Sequence, residues 1–169
     1  MKRTVAVLAL ATTILAIAPG NSDAQNTITA TATVATTITV TGQQDLDFQL
    51  VLPGFTKTVL VTDPTAGLFL VAGGATAEVD VNFVTLPPNL DDGSGNLLPI
   101  TYTGVYNTVS DPSAGATPFV PTAGAGPTAN LSAAGELYVY LGGVVDATAP
   151  PPNGTYTGLV RMTAAYTGN

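Results

Sequence analysis

The chain contains no cysteine, no histidine and no tryptophan, and these absences exclude several kinds of protein. Without cysteine there is no disulfide framework, and without cysteine and histidine there is no zinc site built from those ligands. A Ser-His-Asp or Cys-His catalytic system is excluded as well, because its general base is missing. The sequence therefore predicts a protein that is not an enzyme, with no catalytic, cofactor-binding or metal-ligating residues.

Positive charge is also scarce. Lys and Arg total 4 residues against 11 Asp and Glu, which gives a net charge of −7 over 169 residues, a length that suits one domain. Charged residues make up 9% of the chain, against roughly 25% in a typical soluble domain. Nucleic acid is not an expected partner, because its recognition depends on Lys and Arg clusters that neutralise phosphates.

Residues 1–24 are predicted to be a secretory signal peptide, followed by a single domain at residues 25–169. Lys2 and Arg3 form a positive start, residues 4–18 are apolar, and Ser22 and Ala24 are the small residues that precede a cleavage site. The apolar stretch is shorter than the ~20 residues that span a bilayer, which argues against the alternative of a retained anchor. We expect membrane contact only through this peptide during export, and a secreted, periplasmic or cell-surface location.

Apolar and polar residues alternate with a period of two in most segments after residue 24, which is typical of half-buried β-strands. No segment shows a helical period. Residues 110–130, rich in Pro, Gly, Ala and Ser, are predicted to form one long surface loop. The predicted strands lie at 27–34, 46–52, 75–83, 137–141 and 156–166, with weaker candidates at 56–62, 68–71, 98–103 and 105–109.

Many short strands separated by turn residues are typical of a β-sandwich or barrel, and frequent threonine suits pleated strands. The sequence therefore predicts an all-β fold. Seven residues on the apolar phase of the clearest strands form the predicted core: Val79, Val81, Phe83, Leu137, Val139, Val160 and Met162.

Two pairs of carboxylates are spaced two residues apart along predicted strands. Asp45 and Asp47 would face the same side about 7 Å apart, and Glu78 and Asp80 repeat this spacing. Paired carboxylates serve glycoside hydrolysis, but the tryptophan that commonly stacks on sugars is absent. We interpret both pairs as solvent-facing charges and keep a hydrolase as a remote alternative.

Two other features have a functional and an ordinary interpretation. Residues 91–96 form an oxygen-rich, glycine-containing turn that is either a calcium site or an ordinary turn, and the EF-hand spacing is absent. Tyr138 and Tyr140 share one face of a predicted strand, where they form either an exposed contact patch or part of the sheet packing.

Residues 27–34 show the most regular alternation in the chain. Ile28, Ala30, Ala32 and Val34 fall on one face and threonines on the other. The segment is either an edge strand of its own sheet or an assembly strand that completes the sheet of a neighbouring subunit. In the second interpretation these four apolar residues are the assembly residues.

Three motifs, in order, resemble those of a bacterial exported family of unknown function. Residues 45–48 with Pro53-Gly54 resemble its "DLDFG…PG" signature, with Gln49 where the family usually has glycine. Residues 137–143 resemble its "LYVGG" segment, and residues 153–158 with Tyr166 are similar to its closing "GTYTG…Y" strand. The resemblance covers about residues 28–167.

That family is akin to spore coat protein U domains and chaperone–usher pilins. The resemblance implies an immunoglobulin-like, pilin-like antiparallel β-sandwich whose incomplete sheet is completed by the N-terminal strand of the next subunit. It also implies self-association, or a periplasmic chaperone and an usher, as partners. We therefore expect an exported structural or adhesive subunit that forms a surface fibre, fimbria or coat by strand donation. The alternative is a monomeric secreted module that binds carbohydrate or calcium.

Overall fold

Strands form all the regular structure in the computed structural model, which describes residues 28–32, 34 and 36–168. The predicted all-β fold is confirmed, and no helix in the described part of the chain is long and apolar enough to cross a membrane. The predicted signal peptide lies outside the described residues. The strands are β1 Thr39–Gln44, β2 Thr56–Val59, β3 Gly67–Ala72, β4 Glu78–Thr85, β5 Asn89–Asp91, β6 Leu97–Asn107, β7 Thr117–Phe119, β8 Thr128–Asn130, β9 Glu136–Asp146 and β10 Arg161–Tyr166.

Contacts divide the chain into two units after residue 33. In the first unit, the described residues 28–32 form no strand, and their side chains are exposed. The second unit begins at Val34 and contains all ten described strands.

The strands form two antiparallel sheets, as in a β-sandwich. The larger sheet has the order β1-β3-β9-β6-β5, with β2 beside β9 and β7 beside β6. Strand β9 is central because its long edge accommodates β3 along residues 136–141 and β2 along residues 143–146. The smaller sheet has three strands in the order β10-β4-β8.

The main hydrophobic core lies between the smaller sheet and one half of the larger sheet. Alternation on β4 and β9 directs every second side chain inward, and Phe83 is fully buried with its ring 6.0 Å from that of Phe119. Six of the seven predicted core residues are confirmed as buried, whereas Val160 is only half-buried. The buried members of this cluster are Val71, Val79, Val81, Phe83, Ala129, Leu131, Leu137, Val139, Leu141 and Met162.

A second hydrophobic cluster lies on the other half of the larger sheet, and no strand of the smaller sheet contributes to it. Segments 45–53 and 147–160, which form no strand, supply most of its remaining side chains, and Ala66 and Leu86 supply the others. Among the described strands, the second layer of the sandwich is therefore incomplete over this half. The buried members are Phe48, Val59, Ala66, Leu98, Ile100, Tyr102, Val145 and Ala147.

The predicted strand at 46–52 is wrong, because the backbone turns at Gln49. The φ angle of Gln49 is 55°, and its N–H donates to Oδ1 of Asp47 at 2.7 Å. This local turn breaks the alternation, so Phe48 is buried while Leu50 and Leu52 are 77% and 57% exposed.

Two further predictions need correction. Residues 110–130 are not one loop, since they contain β7 and β8, each of three residues. The last strand begins at Arg161 rather than at residue 156. Preceding it, Thr157 forms only an isolated bridge to Asp91, because the neighbouring edge of the larger sheet is short there.

Candidate functional site

An open cavity of about 940 Å3 lies over the half of the larger sheet that no described strand opposes. Its two walls are segments 44–53 and 151–160, and its floor is the inner face of β3, β6 and β9. The floor is apolar because these strands keep the alternation of a sandwich core, although no described strand opposes them here. The floor side chains are Phe69, Leu98, Ile100, Tyr102, Leu141 and Val145.

Local sequence explains why the walls do not form strands. The first wall begins where the Gln44 side-chain amide donates to the carbonyl oxygens of Pro64 and Ala66, at 2.6 and 2.7 Å, and then turns at Gln49. The second wall contains consecutive prolines, which supply no N–H to a ladder. There the Tyr156 hydroxyl donates to the carbonyl oxygen of Pro152 at 2.8 Å.

Three large apolar side chains that line the cavity are exposed to solvent. Leu50, Leu52 and Leu159 line it and are 77%, 57% and 66% exposed. Apolar surface that is contiguous and exposed in a monomer marks a site of interaction. Asp45 and Asp47 also lie along this cavity, on a wall rather than on a strand.

A smaller cavity of about 300 Å3 lies between β1 and β10 and adjoins the first. Phe69 and Val160 line both, which explains why Val160 is only half-buried. We call the two cavities together the open seam. Among the described strands, β1 and β10 are edges of their sheets, so the smaller cavity lies between two edges that each lack a partner on one side.

The four predicted assembly residues are all described and all exposed. Ile28 and Val34 are 92% and 91% exposed, and neither they nor Ala30 and Ala32 belong to a strand. Thr27 and Thr33, on the opposite face of the same predicted strand, lie outside the described residues. Donation of this segment to a neighbour stays a prediction.

Three of the four carboxylates in the predicted pairs take part in local structure. Asp47 holds the turn at Gln49, as described above. On β4, Asp80 accepts a hydrogen bond from the Thr128 hydroxyl at 3.1 Å, and Glu78 accepts one from the Thr167 hydroxyl at 2.6 Å. These bonds link β4 to its neighbouring segments.

In the oxygen-rich turn at residues 91–96, the carboxylate of Asp92 accepts hydrogen bonds from residues of the same turn. Asp92 accepts hydrogen bonds from the Asn96 side-chain amide at 2.7 Å and from the Ser94 N–H at 2.8 Å, and these lower its pKa. Within the described residues, no group of three or more His, Cys, Asp or Glu side chains is placed to hold a metal ion. The arrangement stabilises the turn.

The two tyrosines of β9 do not form a shared exposed patch. Tyr140 is buried, and Tyr138 is half-buried with its hydroxyl donating to Oε2 of Glu136 at 3.0 Å. That hydrogen bond is the main reason why the pKa of Tyr138 is raised.

Sequence reasoning missed Tyr102 as a floor residue. Its hydroxyl donates to the carbonyl oxygen of Pro87 at 3.0 Å, and burial raises its pKa to about 12. The alternation along residues 98–102 was the available signal, but it gives no information about whether a second sheet covers that face.

Comparison of the chain with protein-family models finds no match, and comparison with curated proteins finds none either.

Proposed function

We propose that the protein is an exported structural subunit that assembles by strand donation, with residues 27–34 of one copy inserting into the open seam of the next. One observation carries the proposal: among the described residues, no strand opposes the apolar inner face of half of the larger sheet. The same chain contains a regularly alternating segment whose described residues are exposed and outside any strand.

The segment and the seam are chemically complementary. Eight extended residues reach about 26 Å, and alternate side chains project from one face. With Ile28, Ala30, Ala32 and Val34 turned inward, the threonines face water. A slip of one residue would instead place every threonine against the apolar floor, so the register is strongly specified.

Buried side chains and main-chain hydrogen bonds would both contribute to the free energy of association. Burying a Val or Ile side chain contributes about 1.5–3 kcal/mol, so Ile28 and Val34 together contribute roughly 3–6 kcal/mol. Main-chain hydrogen bonds to an edge strand add to this, as in other cases of strand addition. These gains must exceed the loss of translational and rotational freedom, which costs about 4–15 kcal/mol, so a completed ladder is required.

Export before assembly fits the predicted signal peptide at residues 1–24. An apolar seam that stays open during export exposes the subunit to aggregation. In this proposal a periplasmic chaperone covers the seam until an usher, or another copy, supplies the donor strand. The final location is the cell surface, as a fibre, fimbria or coat.

A second candidate function is a monomeric secreted module that binds a carbohydrate within the larger cavity. Its volume of about 940 Å3 falls within the range of roughly 300–1,000 Å3 of small-molecule sites. Tyr102, Tyr156 and Asp45 line it and provide hydroxyl and carboxylate groups. The two candidates differ in whether the purified mature protein forms polymers.

The proposal is tested by mixing two variants of the full mature chain. Ala32→Asp places a carboxylate on the donor face and should abolish donation, whereas Val160→Glu places one in the seam and should abolish acceptance. Each variant alone should be monomeric. Refolded together, they should form a one-to-one dimer, because one can still accept and the other can still donate.

Thr31→Asp and Val120→Glu are the matched controls. Thr31 lies on the opposite face of the same segment, and Val120 is 80% exposed and lines neither cavity. Both controls should polymerise as the unmodified protein does. A mixture that stays monomeric, or an Ala32→Asp protein that polymerises by itself, contradicts strand donation.

A further inference from the structure

The hydroxyl of Tyr166 joins three distant parts of the second unit. It donates a hydrogen bond to the carbonyl oxygen of Thr36 at 2.8 Å and accepts one from the Gly74 N–H at 2.6 Å. The first partner precedes β1, the second lies in the turn between β3 and β4, and Tyr166 ends β10. A Cβ at Gly73 would lie 2.5 Å from this hydroxyl oxygen, so the turn fits closely around it.

This contact is at the opposite end of β1 from the larger cavity. Strand β1 runs from Thr39, which pairs with Ala72, to Gln44, which pairs with Leu68. Gln44 is the first residue of the cavity wall, whereas Thr36 precedes the start of the strand. Since six strand residues rise about 20 Å, the chain enters β1 roughly that far from the larger cavity, whereas the smaller cavity of the seam extends along β1 to Val40.

Because residues 27–34 belong to the same chain as β1, insertion into their own seam competes with insertion into the seam of another copy. A segment joined to its own seam by a short linker competes at an effective concentration of millimolar order, whereas a second copy competes at its bulk concentration. Insertion of residues 27–34 into their own seam would therefore dominate unless the geometry of the connection opposed it.

We propose that Tyr166 is a positioning residue that directs the donor segment to another copy by holding Thr36 in line with β1. To enter its own seam, the chain would have to reverse direction just before β1. The hydrogen bond to Thr36 opposes a reversal there, and Ile38 and Val40, which pack against the core, keep the following residues in register. This inference rests on the proposed function, because it assigns a direction to the same donation.

Tyr166→Phe tests the inference, since it removes the hydroxyl and retains the ring. In the refolded full mature chain, we expect the ratio of monomer to polymer to rise about tenfold, as the loss of one or two hydrogen bonds would allow. Hydrogen exchange should show that the backbone amides of residues 28–34 are protected in that monomer, as self-insertion requires. Tyr138→Phe is the matched control, because it removes a hydroxyl bonded to Glu136, and it should leave the ratio unchanged.

Three outcomes overturn the inference, and they are distinguishable. If Tyr166→Phe polymerises as the unmodified protein does, the hydroxyl does not direct donation, and the proposed function stands. If Tyr166→Phe gives monomers whose amides at residues 28–34 exchange rapidly, the hydroxyl supports only the fold. If the unmodified protein is itself monomeric, the proposed function fails and the inference fails with it.

Discussion

Replacement of Phe83 by alanine should remove a large part of the stability of the sandwich. The side chain is fully buried at the centre of the main core, opposite Met162 of β10 and 6.0 Å from the ring of Phe119. Phe→Ala changes at such sites cost about 3–5 kcal/mol, because the lost burial is accompanied by a cavity. A single domain has only about 5–15 kcal/mol in total, so the variant should be marginally folded.

Urea and thermal unfolding of the mature protein measure this effect. We expect a loss of about 3–5 kcal/mol, which corresponds to a fall in Tm of roughly 10–20 °C for a domain of this size. Val84→Ala is the control, because the next residue along β4 faces outward and is 59% exposed, and it should change stability by less than about 0.5 kcal/mol. A loss below about 1 kcal/mol for Phe83→Ala would refute its position in a packed core.

Two other substitutions and one mass measurement have defined outcomes. Gln49→Gly should raise the free energy of unfolding by up to about 1 kcal/mol in urea, because a left-handed φ of 55° favours glycine. Burial raises the pKa of Tyr102 from 10.0 to about 12, so its contribution to stability is complete below pH 10 and is lost as pH rises through about 12. Tyr102→Phe should therefore reduce the alkaline fall in unfolding free energy, and an equal fall in both proteins would contradict this. The intact mass of the exported protein should correspond to a chain that begins at Gln25, and a retained Met1 would exclude the predicted cleavage.

The strands that could be predicted from the sequence are those whose apolar face packs against a strand of the opposing sheet. Residues 79, 81 and 83 of β4 oppose residues 137 and 139 of β9 across one core, so burial follows directly from the period of two. The sequence predicts two short strands at 98–103 and 105–109, whereas in the structure they form one continuous strand, β6, from Leu97 to Asn107. Asn107 is buried there, and its side-chain amide is satisfied by donating to the carbonyl oxygens of Asp111 and Ala114.

Alternation failed where backbone conformation overrides it. Leu50 and Leu52 continue the apolar phase of Leu46 and Phe48, yet the turn at Gln49 rotates them toward solvent. Gln49 carries no local signal for a left-handed conformation, since glutamine rarely adopts it.

The open seam could not be predicted from local patterns. Its floor and walls come from segments separated by up to about a hundred residues, and each reads as an ordinary half-buried strand or loop. Whether a sheet face is covered depends on the number of strands in the opposing sheet. That number follows from topology, which periodicity does not determine.

A disulfide cross-link between two copies tests strand donation most directly, because the chain has no cysteine of its own. One copy carries Ala30→Cys or Ala32→Cys, and the other carries Val160→Cys in the seam. After mixing and oxidation, donation predicts a disulfide-linked heterodimer with at least one of the two alanine positions, since Cα atoms must approach within about 4.4–6.8 Å. Thr31→Cys, on the opposite face of the segment, should not cross-link to Val160→Cys. Absence of the heterodimer at both alanine positions, or equal cross-linking from Thr31→Cys, would contradict insertion of this segment into the seam.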